Sequence, residues 1–432
     1  AVVNEGQMLR RRGMGLVSDV FDEDIIADMP GNAAIGHVRY STTGSSQLAN
    51  AQPLIFPLHH RDLALAHNGN LINALELRDE LERLGSIFQS TSDTEVIAHL
   101  IARAGSEDFL ESVRQSVRTI QGGYAAVLLT AEHLIVLRDP NGLRPMALGR
   151  LDEAYVVASE TCAFDTVGAS FVRDIEPGEM LVISREGLHS EHVVSATRTA
   201  LCTFEYIYFA RPDSDIDGMN VHLARRRLGR ALAHAAPVPA DVVIGVPDSS
   251  ISAAMGYADE ASIPYEIGLI KNRYIGRTFI QPSPALRQRG VTLKLNVVRK
   301  VVEGQRVVLV DDSLVRGITS ARLVELVRGA GAAEVHLRIS SPPVTHPCFY
   351  GIDTSDRTKL VAAEHSIEEI RALIGADSLV YLTEEEMLRA LGVTDFGAHR
   401  FCNACFTGNY PTPLYADMRK DILEKTRGLV VG

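Results

Sequence analysis

Short alternating apolar runs dominate the chain up to residue 195. "AAIGHVRY", "LALAHNGN", "YAAVLLT", "LIVLRD", "AYVVAS" and "EMLVIS" read as strands, punctuated by the turn signals "HNGN", "DPNG" and "EPGE". Two stretches, "NALELRDELERLG" and "SDTEVIAHLIARAG", instead place apolar residues three to four apart, the spacing of an amphipathic helix. Several strands with two helices predict an α+β layered domain.

From residue 220 the rhythm changes. "HLARRRLGRALAHAA" reads as a helix, "ADVVIGVPDSS" as a strand and loop, and "SISAAMGYADEA" as a helix. "QRVVLVDDS", "ITSARLVELVRGAG" and "EVHLRISSPP" continue as strand, helix and strand. Strands alternating with helices predict βαβ units on a parallel sheet. The expected division is residues 1–197 and 198–432, with a linker near 195–202 and a helical, irregular C-terminal segment. There is no internal repeat.

Composition narrows the class. A chain of 432 residues is long for one domain, and 46% apolar with 22% charged residues is a normal globular balance. No run of 18 apolar residues occurs, so no transmembrane helix is expected. Forty-three Lys and Arg against 54 Asp and Glu give a net charge of −11, which argues against a nucleic-acid binder. Five cysteines are too sparse for a disulfide scaffold and fit a reducing compartment, the cytoplasm.

"VVLVDDSLVRGITS", residues 307–320, carries the most specific chemistry. Ligands of doubly wound sheets bind beyond the carboxyl ends of the strands, and Asp311 and Asp312 stand at one such end. Ser313, Gly317, Thr319 and Ser320 follow, with a helix expected from Ile318. Hydroxyls and helix N-terminal amides make a phosphate cradle. The carboxylates would repel a phosphate unless they face sugar hydroxyls or Mg²⁺. The plainer reading is that "DDS" only caps a helix.

The stretch resembles the signature of type I phosphoribosyltransferases, which bind phosphoribosyl pyrophosphate (PRPP). The resemblance implies that Asp311 and Asp312 hold ribose and metal, while Ser313, Arg316, Gly317, Thr319 and Ser320 hold the 5′-phosphate. "GVPDSS" at 245–250 then corresponds to a pyrophosphate loop with Asp248, Ser249 and Ser250, Ser249 approaching the metal; alone it reads as a turn. "KNRYIGRTFIQPSPALRQRG", 271–290, and Lys294 hold six cations and no acid. The plain reading is a solvated surface loop; beside the two loops above, a lid over pyrophosphate is expected, with Lys271 and Tyr274 as PRPP-binding candidates.

"IGHVRYSTTG", "ALAHNGNL" and "STSDTEV" are individually weak signals. In this order they resemble the glutaminase domain of N-terminal-nucleophile amidotransferases, an αββα fold. The resemblance implies that Arg39 and Asp93 hold the α-carboxylate and α-amino groups of glutamine, and that Asn68 and the Gly69 amide form the oxyanion hole. That family's nucleophile is an N-terminal Cys, absent here, where Ala1 is the first residue and the earliest cysteine is Cys162. An upstream segment is expected to be missing, and the chain as written to use ammonia only.

Cys402 and Cys405 form C-x-x-C, which needs two further ligands to be a strong metal signal. Cys202 and Cys348 are the candidates, and four thiolates commonly hold iron–sulfur clusters. The whole ordered set resembles the amidophosphoribosyltransferase family in its Bacillus-like branch, which implies a [4Fe–4S] cluster on these four cysteines. It also implies Mg²⁺, PRPP and glutamine as substrates, purine-nucleotide inhibition and a homotetramer. A PRPP-responsive nucleic-acid regulator would need a basic face and no glutaminase domain. A hexosamine-phosphate synthase would lack "VDDSLVRGITS".

Overall fold

The computed structural model describes residues 1–39, 46–196, 198–272, 295–398 and 400–415. The alternating runs of the first domain build a six-stranded antiparallel sheet. In order across the sheet, its strands are Gly187–His192, Glu179–Ser184, Leu134–Arg138, Gly122–Leu129, Arg61–Leu71 and Leu54–Leu58. Helices Ala74–Arg83, Thr94–Ala104 and Phe109–Thr119 cover one face, burying Leu63, Leu65, Val96, Ile97 and Val113 between them. Each such side chain stabilises the domain by about 1.5–3 kcal/mol through burial.

The other face packs a second sheet of Ala147–Leu151 between Ser170–Asp174 and Ala154–Ala158, sharing Ala125, Val136, Leu148 and Leu181. Ala147, one residue from Leu148 and so on the opposite face, packs against Phe164 of helix Cys162–Val167. The layers therefore run α, β, β, α.

Two expectations need correction here. "HNGN" is no turn: residues 67–70 lie inside strand Arg61–Leu71, paired residue for residue with 123–126. Gly69 makes this possible with φ +141°, because a Cβ there would strike the carbonyl of Gly123. "AAIGHVRY" is strand only at Ala33–Ala34, paired with Val2–Asn4, and Tyr40 lies outside the described residues.

The second domain carries a parallel sheet in the order Val242–Gly245, Arg306–Asp311, Glu334–Ile339, Ser378–Tyr381. Helices Val221–Ala235 and Ile251–Ala261 pack on one face through Val243, Val308 and Val310. Helices Ile318–Gly329 and Ile367–Ile374 pack on the other through Ile244, Leu309 and Leu337. Burial on both faces explains why the central strand reads as an unbroken apolar run. The expected linker region contains the pair Leu201–Cys202, bound in parallel to Phe401–Cys402 near the chain's other end.

Candidate functional site

Strand Arg306–Asp311 ends where its neighbour Val242–Gly245 ends, and both strands deliver loops to one edge of the sheet. Ser250 Oγ donates to Asp311 Oδ1 at 3.0 Å and stands 3.3 Å from Asp312 Oδ2. Ser249 Oγ also donates to Asp312 Oδ2, while Ser313 Oγ donates to Asp312 Oδ1 at 2.6 Å. Both carboxylates are buried. Burial, and then the neighbouring Asp312, push Asp311 up to about 8; burial raises Asp312 as well. An oxygen-rich, buried pair held back from ionising is chemically suited to a hard cation or to sugar hydroxyls.

The helix-cap reading does not hold. The N-cap of Ile318–Gly329 is Gly317, with φ +76°, and no side chain caps the helix. Between Asp312 and the helix the loop presents half-buried Ser313 and Gly317 and exposed Arg316; Thr319 is exposed and Ser320 buried in the first turn. On the adjoining loop, exposed Asp248 accepts from Lys271 Nζ at 2.7 Å, and the Pro247–Asp248 peptide is cis. Tyr274 and the rest of the cationic stretch from 273 to 294 lie outside the described residues.

In the first domain, strand Arg61–Leu71 carries Asn68 and Gly69, both half-buried. Asp93 holds the N-cap position of Thr94–Ala104 without capping it; its Oδ2 instead accepts from Leu71 N at 2.9 Å. The carboxylate is thus tied to the strand that bears Asn68 and Gly69. His67, fully buried, lies 3.7 Å from the same Asp93 oxygen. Half-buried Arg39 acts on His37, whose ring is pushed down to about 4 by burial first, then by His67 and Arg39. Arg39, His37, His67 and Asp93 therefore form a connected electrostatic neighbourhood.

The four cysteines meet. Cys202 faces Cys402 across the parallel pair, Cys405 belongs to Ala404–Thr407, and Cys348 comes from a loop. All four line one apolar cavity with Leu143, Arg144, Tyr350, Ile352, Ala404 and Tyr410. Among the described residues no three His, Cys, Asp or Glu side chains are grouped closely enough for one metal ion. Four thiols lining one cavity are a donor set of the kind that holds zinc or an iron–sulfur cluster. Burial raises all four thiols, Cys402 to about 12, so ionising them in place requires a cationic partner. Cys162 stands apart, buried, its thiol directed at Glu160.

The cavity sits on the seam between the domains. Asn70 Nδ2 donates to Phe349 O at 2.9 Å. Arg144 Nη1 donates to Glu205 Oε1 at 2.8 Å, and Nη2 to Gly351 O at 2.7 Å. Glu205 opens a π-helical turn, Glu205–Phe209, in which Tyr206 O accepts from the buried Arg225. Sequence reading missed His67, Arg144, Glu205 and Arg225. "HNGN" contains His67, but nothing local marks the other three.

Comparison with known proteins places both halves. Residues 37–166 match the glutamine amidotransferase domain and residues 224–340 the phosphoribosyl transferase domain. The amidophosphoribosyltransferase of Bacillus subtilis is 55% identical over 96% of this chain and 88% of its own length. That of Synechococcus elongatus is 48% identical over 98% and 86%. A solved structure described as the allosteric regulatory enzyme of purine biosynthesis superposes with a TM-score of 0.89 at 55% identity, covering 96% of this chain and 90% of that one. The B. subtilis glutamine PRPP amidotransferase complexed with ADP and GMP gives 0.87 at 56%, covering 94% and 88%. With both domains matched in order and nearly the whole chain aligned, the protein belongs to the amidophosphoribosyltransferase family of purine biosynthesis.

Proposed function

We propose that the buried Asp311–Asp312 pair holds the ribose hydroxyls and Mg²⁺ of PRPP while ammonia replaces pyrophosphate at C1. Nitrogen forms a bond to C1 as the C1–oxygen bond to pyrophosphate breaks, giving 5-phosphoribosylamine. The single observation carrying this reading is the convergence of Ser249, Ser250 and Ser313 on two carboxylates that burial keeps from ionising. Asp311, Asp312 and Ser249 would hold the metal, whose charge would offset that of the departing pyrophosphate. Ser313, Arg316, Gly317, Thr319 and Ser320 would take the 5′-phosphate at the helix start. Asp248, Ser250, Lys271 and Tyr274 would take pyrophosphate.

On the glutamine side, Arg39 and Asp93 would fix the amino acid by its charged ends, and Asn68 with the Gly69 amide would stabilise the oxyanion. Asp93's tie to Leu71 N supports this, since it sets the amine-binding carboxylate against the oxyanion strand. Cys202, Cys348, Cys402 and Cys405 would carry the [4Fe–4S] cluster, tying three segments of the second domain together beside the seam, with no redox part in the transfer. Purine nucleotides as inhibitors, a homotetramer, the 1–197 and 198–432 division and a cytoplasmic setting complete the reading. The nucleotides rest on the relative solved with ADP and GMP.

The test is ammonia-driven phosphoribosylamine formation by an Asp311→Asn, Asp312→Asn double variant. A loss of ~10²-fold or more is expected at unchanged fold. Wild-type turnover in that variant would overturn the assignment.

A further inference from the structure

Arg144 is buried on the domain seam, and two of its three nitrogens are committed: Nη1 to Glu205 and Nη2 to Gly351 O. The third, Nε, is buried with no hydrogen-bond partner among the described residues. Leaving a buried N–H unpaired is costly, and among the described atoms in this condition only Arg144 Nε belongs to a residue lining the four-cysteine cavity. Among the described residues, Arg144 is also the one charged side chain lining the four-cysteine cavity. The cysteine sulfurs do not accept from it in this geometry. Burial opposes its cation, and the Glu205 carboxylate beside it favours it.

We infer that Arg144 is a positioning residue for the iron–sulfur group, its Nε–H donating to a sulfide of the cluster held by Cys202, Cys348, Cys402 and Cys405. The inference rests on the cluster assignment proposed above. It accounts for an otherwise orphaned donor, and it places a fixed positive charge beside the anionic thiolates. Hydrogen bonds to cluster sulfurs and nearby charge set the reduction potential. Because the same guanidinium grips Glu205 and Gly351, one side chain joins the cluster, the π-helical turn and the loop against Gly69.

The experiment uses the full chain, loaded with iron and sulfide under anaerobic conditions and carrying ¹⁵N-arginine or natural-abundance arginine. After dithionite reduction, pulsed EPR is expected to show a nitrogen hyperfine coupling that changes with the label. Arg144→Lys, which lacks Nε in that position, should lose the coupling and shift the cluster midpoint to more negative potential. Iron-replete wild-type protein without a label-dependent coupling would overturn the hydrogen bond, and this outcome requires no variant to fold. A chain that takes up no iron would instead overturn the cluster assignment beneath it.

Discussion

The side-chain amide of Asn70 reaches across the domain seam and donates to the carbonyl of Phe349 at 2.9 Å. It thereby bonds the strand bearing Asn68 and Gly69 to the loop bearing Cys348. The adjoining contact is tighter still. A Cβ on Gly351, whose φ is +112°, would come within 2.6 Å of Arg144 Nη2 and 3.1 Å of Gly69. Asn70→Ala should cost about 1 kcal/mol, and Gly351→Ala about 2–4 kcal/mol through crowding and backbone strain together. Denaturant midpoints at constant slope would check both, and the order of the two losses is the decisive result.

Metal-free protein should lose stability as the pH rises through neutrality. Unfolded Asp311 titrates near 3.8 and folded Asp311 near 8. Between those values the folded state binds more protons, so stability falls by up to about 1.4 kcal/mol per pH unit, and the loss is complete above 8. Below 3.8 the carboxyl is protonated in both states and contributes no slope. Asp311→Asn should flatten this dependence in urea titrations across the window. An unchanged slope would mean that another group carries it.

Stripping iron from the loaded protein should lower the thermal midpoint and loosen the seam selectively. Faster hydrogen exchange is expected over residues 345–352 and 401–407, which meet around the cavity. Strand Arg306–Asp311, buried between two helical layers, should keep its protection. Cys402→Ser should reproduce the pattern without any chelator.

Lys271→Ala should separate binding from stability. The Lys271–Asp248 pair is exposed, 54% and 70% at the two side chains, so its loss should change stability by less than about 0.5 kcal/mol. On the proposed role of Lys271 at pyrophosphate, its loss should nevertheless cost about tenfold in apparent PRPP affinity. Saturation kinetics with ammonia as the nitrogen source would show the difference.

The phosphoribosyl transferase domain and its candidate loops are legible because their physics is local. A strand buried on both faces is a continuous apolar run, and the carboxylates and hydroxyls follow within a single loop. The remaining sheet strand, "SLVY" at Ser378–Tyr381, escaped because four residues carry too short a pattern. Helix Phe109–Thr119 buries Phe109, Val113 and Val117 at four-residue spacing, so its pattern is legible in the sequence although it is not among the two helices read there. "HNGN" read as a turn from its composition, whereas a neighbouring backbone that only glycine admits keeps it in a strand. Asp93 was placed correctly at a helix start, but its bond to Leu71 is tertiary. Arg144 and Glu205 are 61 residues apart and buried against the habit of charged side chains, so no window of sequence displays the pair.

The Asn70–Phe349 bond also orders events in time. At ribosomal speed the 279 residues between its partners take about 15–60 s to synthesise. Throughout that interval the glutamine-side strand exists without the loop that braces it, and Arg144 waits for Gly351. Ser249 and Asp312, on the two candidate PRPP loops, also precede Phe349 in the chain. The parallel sheet behind those loops gains its last strand, Ser378–Tyr381, only after Phe349, so the sheet and the seam are both completed late in synthesis.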